Sequence, residues 1–217
     1  MKHIIIVGTG AVSAELVMYI NDHNKHVPSC EKYEVDGFIE YEENRSRYWA
    51  KYNHTRPILG SLDSFKFEEG LIFILAVADI DFRRFVLDKI GESVIWANFI
   101  HYSVMMDMSV SMGRGNIIYP YTIIGPNVVI GDFNLITSYS FISHDCRVGS
   151  NNFFSTAGIA GHVTIGDNNF FGIRSTCLPE ITIGSNNRIQ AGMIVDKSIN
   201  NEVTVFHRFK EKCFACR

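Results

Sequence analysis

The sequence is short of basic charge, of long apolar runs and of paired cysteines, and each shortage excludes a class of protein. Twenty Lys and Arg against 23 Asp and Glu leave a net charge of −3. That balance offers no basic field to a nucleic acid or an anionic membrane. No window approaches the roughly 18 uninterrupted apolar residues of a spanning helix. The first apolar run is only Ile4–Val7, with no cleavage-site pattern after it, which argues against a secretory signal. The five cysteines are odd in number and mostly scattered, so they form no disulfide framework and suit a reducing, cytoplasmic setting. Cys213-x-x-Cys216 has no second pair to complete a zinc site and reads as a free tail. No bound metal is expected. What remains is an ordinary globular composition, 47% apolar and 20% charged, too apolar for a disordered chain. Its 217 residues allow one or two domains.

Residues 1 to about 100 alternate in type. Ile4–Val7, Tyr33–Glu40, Leu71–Ala78 and Val94–Ile100 read as strands, the third apolar enough to be buried on both faces. Ala14–Ile20 has helical spacing, and Phe82–Ile90 places Phe82, Phe85, Val86 and Ile90 on one stripe. The segment from Glu42 to His54 is polar and aromatic and reads as a surface loop. This alternation predicts a small parallel sheet flanked by helices. Gly8-Thr9-Gly10-Ala11-Val12-Ser13 follows the first strand and opens the first helix, the context in which helix N-terminal amides hold a phosphate. A dinucleotide would call for an acidic residue about twenty positions on; the next one at a strand end, Glu40, lies about thirty on.

Beyond about residue 101 helical periodicity gives way to a repeat. An apolar residue precedes Gly113, Gly125, Gly131, Gly149, Gly166 and Gly184. Four of these open the tetrapeptide Gly-[Asp/Ser]-x-Asn, at Gly131, Gly149, Gly166 and Gly184, so the starts lie 18, 17 and 18 residues apart. A strand-only chain of 18-residue period has three six-residue faces per turn, a triangular parallel β-helix. One aliphatic residue in six points into the prism, and Gly and Asn are expected at corners that need a left-handed backbone. The coil from Gly149 to Gly166 is one residue short, which implies a tighter place around Phe153–Ala160.

These repeats resemble the hexapeptide-repeat acyltransferases with a left-handed β-helix. With the preceding Gly-x-Gly-x-x-Ser α/β segment, nearly the whole chain is similar to one bacterial family, the N-acetyltransferases of nucleotide-linked 4-amino sugars and related sialic acid O-acetyltransferases. The most specific element is Ser143-His144-Asp145-Cys146-Arg147-Val148-Gly149, which matches that family's His-[Asp/Glu]-Cys-x-[Ile/Val]-Gly segment. The resemblance implies a Rossmann-like nucleotide-sugar-binding domain over 1–100, a left-handed β-helix over 101–217, a homotrimer, and acetyl-CoA held between two β-helices. It implies His144 as general base and Asp145 as the carboxylate that fixes its tautomer. Gly161 takes the place of the contact to the thioester carbonyl. Gly172, Ile173, Arg174 and Gly192 lie along the cofactor arm, with Arg174 or Lys197 toward a phosphate. Gly8, Gly10, Ser13, Glu40, Asp79 and Arg83 are the residues expected, on the same resemblance, to form the sugar-nucleotide pocket. The acceptor implied is a UDP- or dTDP-linked 4-amino-4,6-dideoxy sugar on the way to a surface polysaccharide, with O-acetylation of sialic acid as the alternative.

Three departures mark this chain. Phe153 stands where many relatives carry a second histidine, Thr137 where some place an Asn, and the C-terminal Gly-x-Pro-Ala-[Lys/Arg] signature is missing. Some left-handed β-helices are zinc hydrases with three converging histidines. Here His144 and His162 lie 18 apart, but position 149 is Gly and 167 is Asp, so that chemistry is not expected.

Overall fold

The computed structural model describes residues 1–41, 50–91 and 94–207. β1 (Lys2–Val7) is the middle of a five-stranded parallel sheet, because Ile4 to Val7 are buried on both faces. Its partners are β2 (Tyr33–Glu40), β3 (Ile58–Ser61), β4 (Ile72–Leu75) and β5 (Ile95–Trp96), in the spatial order β3-β2-β1-β4-β5. β3 has no counterpart among the strands expected above, since four residues, Ile-Leu-Gly-Ser, are too few to show a period. The strand order reverses at β1, which opens a crevice at the carboxyl ends of β1 and β4.

α1 (Ala11–His26) follows β1 and buries Leu16 and Ile20, four apart on one face. α2 (Ile80–Ile90) follows β4; the Asp79 side chain caps it by accepting from Phe82 N at 2.7 Å. Its buried face is Ile80, Arg83, Val86 and Ile90, one step round from the expected stripe. Phe85 is exposed, and Phe82 and Phe85 stack beside the Tyr41 ring instead. The expected strand Val94–Ile100 is two strands: Ile95–Trp96 closes the sheet, and Phe99–Ile100 begins the next structure. Of the expected surface loop, 42–49 lies outside the described residues. His54 is buried rather than on the surface, tilted against Phe38 with Nε2 3.2 Å from Thr9 O.

From Phe99 onward, two-residue strands coil into a parallel β-solenoid with three sheets of seven, six and five strands. This form fits the left-handed β-helix. The second residue of each strand points inward. Ile118, Ile136, Phe154, Phe171 and Ile189 line one wall, Ile124, Ile142, Ile159, Cys177 and Val195 the next, and Ile130, Val148, Ile165 and Ile183 the third. The prism is therefore not purely aliphatic: Phe154 and Phe171 stack at 4.7 Å and 10°.

The Asn of each tetrapeptide is buried and bonds along the solenoid axis. Asn134 N donates to Asn116 Oδ1, Asn152 N to Asn134 Oδ1, Asn169 N to Asn152 Oδ1 and Asn187 N to Asn169 Oδ1, all at 2.8–2.9 Å. The Asp/Ser position forms a second column, in which Asp132 N donates to Ser150 Oγ, Ser150 N to Asp167 Oδ1 and Asp167 N to Ser185 Oγ. The left-handed residue is neither the Gly nor the final Asn of the motif, although an Asn fills it in three of the four tetrapeptides, as expected of such corners. It is the third position, Phe133, Asn151, Asn168 or Asn186, with φ of 56–61°. Gly149 is required for a different reason: a Cβ there would stand 2.8 Å from the Gly166 carbonyl carbon in the next coil. Coil stacking, not torsion, selects it.

The missing residue falls at Ser155–Ala157. Leu135 pairs with Phe153, 18 on, but Phe141 pairs with Gly158 and Arg147 with Thr164, each 17 on. Sheet and solenoid share a core in which Leu16, Ile20 and Tyr33 pack with Phe99, Ile117, Tyr119 and Leu135. Asn152→Ala leaves two buried donors of Asn169 unpaired. It should lower unfolding free energy by about 2–4 kcal/mol in urea titration, at about 1–3 kcal/mol per orphaned group; an unchanged midpoint would show that the column does not carry stability.

Candidate active site

The solenoid has three corners, and each collects one residue per coil. One corner carries Asn127, Asp145, His162 and Glu180, all with left-handed backbone. Because the coil between them has 17 residues, His162 stacks over Asp145 although it lies 18 after His144. Gly161 stacks over His144 instead. A Cβ on Gly161 would lie 2.6 Å from Cε1 of the His144 ring, so glycine is what lets the ring lie flat against this coil. No described group accepts from the Gly161 amide.

His144 Nδ1 lies 2.8 Å from Asp145 Oδ2, and Asn127 Nδ2 donates to Asp145 Oδ1 at 3.2 Å. His162 Nε2 stands 3.8 Å from the same Oδ2, and its ring meets the His144 ring edge-on with centroids 5.1 Å apart. The His144 hydrogen bond, and then the Asn127 amide, hold the Asp145 carboxyl below the ordinary carboxylate range. A carboxyl lowered in the folded state favours folding above its unfolded value near 3.9, and that contribution fades as pH falls through the lowered value. With Nδ1 donating to Oδ2, His144 Nε2 is left as an acceptor. Cys146 turns inward, its Sγ 3.0 Å from Ala160 O, and burial pushes its thiol up. Burial pushes Cys177 up to about 12. Both are held as thiols, which is poor chemistry for a nucleophile.

The residues expected along a cofactor lie elsewhere on the same chain. Arg174 and Gly192 occupy a second corner, above Tyr121, Tyr139 and Thr156. Gly172 and Ile173 line a groove of about 620 Å³ with Phe170, Arg188, Gln190 and Phe206. Arg188, which the sequence did not single out, lies 5.2 Å from the Phe170 ring centre. Phe153 stacks on Phe170 at 5.2 Å, on a different face from His144, so it fills a packing position. The face joining the two corners is an exposed apolar stripe of Met105, Ile123, Phe141 and Ile194.

Four of the six expected sugar-nucleotide residues share a cleft of about 300 Å³ at the strand ends: Gly8, Gly10, Glu40 and Asp79, with Thr9, Tyr41 and Phe82. Gly8 has φ +105° and a Cβ there would stand 3.0 Å from Ala76 O, so it is needed for the turn itself. A Cβ on Gly10 would meet nothing within 4 Å. Glu40 accepts from Thr9 Oγ1 and from Tyr41 N. The other two residues turn away. Ser13 is buried and donates to Gly8 O at 2.7 Å. Arg83 runs into the solenoid, donating to Phe133 O, Asn151 O and Asn152 O at 3.0–3.3 Å. Burial lowers its pKa to about 10, so it is still a cation at neutral pH. A helical pattern cannot distinguish an Arg facing a ligand from one facing carbonyls contributed by residues 50–69 positions away.

A third cleft, of about 650 Å³, runs between α1 and the second corner, lined by Met18, Asp22, His101, Tyr121 and Tyr139. Tyr121 and Tyr139 stack at 5.3 Å, one coil apart. Among the described residues no helix is long and apolar enough to cross a membrane.

Arg83→Ala should therefore cost stability rather than substrate affinity. We expect a loss of about 2–4 kcal/mol in denaturant, the scale of breaking charged, buried hydrogen bonds. A raised KM at unchanged stability would return Arg83 to the ligand pocket.

No family model matches the sequence, and no curated protein matches it. Solved structures do. PerB from Caulobacter crescentus, in complex with CoA and GDP-perosamine, is 22% identical with a TM-score of 0.75 over 94% of this chain and 93% of that one. The acetyltransferase domain of PglB from Neisseria gonorrhoeae, in complex with acetyl coenzyme A, is 18% identical with a TM-score of 0.75 over 94% and 95%. WeeI from Acinetobacter baumannii is 23% identical with a TM-score of 0.74 over 95% and 97%. At these identities the shared property is the fold: a parallel sheet leading into a β-solenoid, the architecture of the hexapeptide-repeat left-handed β-helix acetyltransferases.

Proposed function

We propose that this protein is an acetyl-CoA-dependent N-acetyltransferase of a nucleotide-linked 4-amino-4,6-dideoxy sugar, with His144 as general base. The observation that carries the reading is the His144–Asp145 pair beneath the free Gly161 amide. Acetyl-CoA supplies the acyl group as a thioester; the rest is work for the chain's own groups. Nε2 of His144 accepts the proton of the attacking amine while Nδ1–H holds to Asp145. The Gly161 N–H, one coil away, donates to the oxygen that gains charge. No covalent enzyme intermediate is needed, in keeping with two buried thiols. The 620 Å³ groove at Gly172 and Ile173 has the apolar floor that a pantetheine arm and adenine prefer; Arg188 in its lining, and Arg174 at the adjoining corner, suit its phosphates.

The N-terminal 100 residues act, in this reading, as a Rossmann-like domain for the sugar nucleotide. The cleft at Gly8, Gly10, Glu40 and Asp79 receives the diphosphate on the amide-rich start of α1. PerB and a GDP-perosamine N-acetyltransferase from the same organism were crystallised with CoA and GDP-perosamine, so GDP joins UDP and dTDP as a nucleotide to test. The chain is proposed to work as a homotrimer. His144 and Arg174 lie on different corners, and burying the apolar stripe between them against other copies brings one copy's His144 corner to the next copy's Arg174 corner.

The test is thiol release from acetyl-CoA with a panel of UDP-, dTDP- and GDP-linked amino sugars and with free sialic acid. A nucleotide-linked 4-amino sugar should turn over, and His144→Ala should lose at least about a hundredfold in kcat. Wild-type turnover by that variant would sink the mechanism; turnover of sialic acid alone would make the reaction O-acetylation. Gly10→Val should raise KM for the sugar nucleotide without moving Tm, because a Cβ at Gly10 meets nothing within 4 Å and the added bulk stands at the cleft. A lowered Tm at unchanged KM would make Gly10 a structural turn.

A further inference from the structure

We propose that His144, Asp145 and His162 form a binding site for a divalent transition ion of the zinc type, and that occupancy switches the base off. Their ligating atoms lie within 4.8 Å of one another. The convergence is specific: His144 Nδ1 and His162 Nε2 both face Asp145 Oδ2, at 2.8 and 3.8 Å. Asn127 occupies the other carboxylate oxygen and orients it, as supporting residues do around metal ligands. Two imidazole nitrogens and one carboxylate oxygen are a donor set that suits zinc or cobalt. Bonds of about 2.0–2.2 Å in a tetrahedron need ligand atoms roughly 3.4 Å apart, between the two separations found here. All three side chains are a third or more exposed, which leaves the fourth position to water.

Coil stacking creates the site. Arg147 pairs with Thr164, so the corner residues Asp145 and His162, two positions before them, stand one over the other and the imidazole lies above the carboxylate. The site differs from the three-histidine arrangement of the zinc hydrases, because its third ligand is the base's own carboxylate partner.

The consequence for catalysis rests on His144 being the base. An ion on Nδ1 displaces the proton held there, and a neutral imidazole then carries its one proton on Nε2. Nε2 changes from acceptor to donor and no longer takes a proton from the amine. The ion silences the base by moving its proton, with the sugar and thioester grooves left open.

The experiment titrates the full chain, freed of metal by a chelator, with Zn²⁺ by calorimetry and with Co²⁺ by visible absorption. We expect one ion per chain, and binding weakened at least about tenfold in His162→Asn, the lower end of what even a supporting residue of a metal site contributes. Asn keeps the left-handed backbone that position 162 requires. Turnover of the wild type should fall with Zn²⁺ and return with chelator, whereas His162→Asn should stay active at the same Zn²⁺ concentration. No binding, or equal affinity in the two proteins, overturns the site. Stoichiometric Zn²⁺ binding with undiminished turnover overturns the proton switch. His144→Ala in metal-free buffer reads the base assignment separately.

Discussion

The registered stacking of coils is the constraint on which this molecule depends, and buried side-chain hydrogen bonds running along the solenoid axis set it. Strands of two residues carry too few backbone bonds to fix a register alone. The asparagine column supplies the missing specification, since each amide oxygen accepts from the backbone of the next coil. A buried amide that must be satisfied tolerates no slip. The Asp/Ser column at the same corner repeats the constraint nearer the surface. The inward apolar residues provide the driving force, but a prism filled with Ile and Val alone would accept several alignments.

The candidate chemistry follows from that stacking. Every corner aligns one residue per coil, so a side chain gains neighbours 17 or 18 positions away and almost none nearby in sequence. His144 and Asp145 are adjacent in the chain, yet Asn127 and His162, from the coils on either side, complete their surroundings. Gly161 presses against the His144 ring for the same reason. The inward Cys146 and Val163, which follow Asp145 and His162 in their coils, hold those two corner residues in line. Arg83 plays the corresponding part between sheet and solenoid. Its buried guanidinium ties three carbonyls of the solenoid to α2 and so fixes the strand-end cleft relative to the coils.

Much of this was legible in the residues. The repeat of Gly-[Asp/Ser]-x-Asn reads directly as a three-faced coil, because its period is longer than any helical or hairpin period. The His144–Asp145 pair and the Gly8–Gly10 loop were visible as local patterns. The purpose of the motif's glycines was not, since a requirement for close approach and one for positive φ select the same residue. Corner torsions fell on Asn127, Asn151, Asn168, Asn186, Gly115 and Gly192, as such residues lead one to expect, but also on Phe133, Tyr121, Tyr139, Arg174 and Glu180, residue types that carry no turn signal. Ser13 and Arg83 matched a ligand-binding pattern by position, but their partners come from elsewhere in the fold.

The sequence by itself determined the period, the inward apolar columns, the parallel sheet and the adjacency of His144 and Asp145, because each is a local pattern that repeats or sits beside its partner. Only the tertiary structure decided which residues share a corner, which way Arg83 and Ser13 face, and that His162 stands over Asp145. Those facts depend on the sum of residues between two positions and on which groups are left to satisfy, and a count that shifts by one moves every later neighbour.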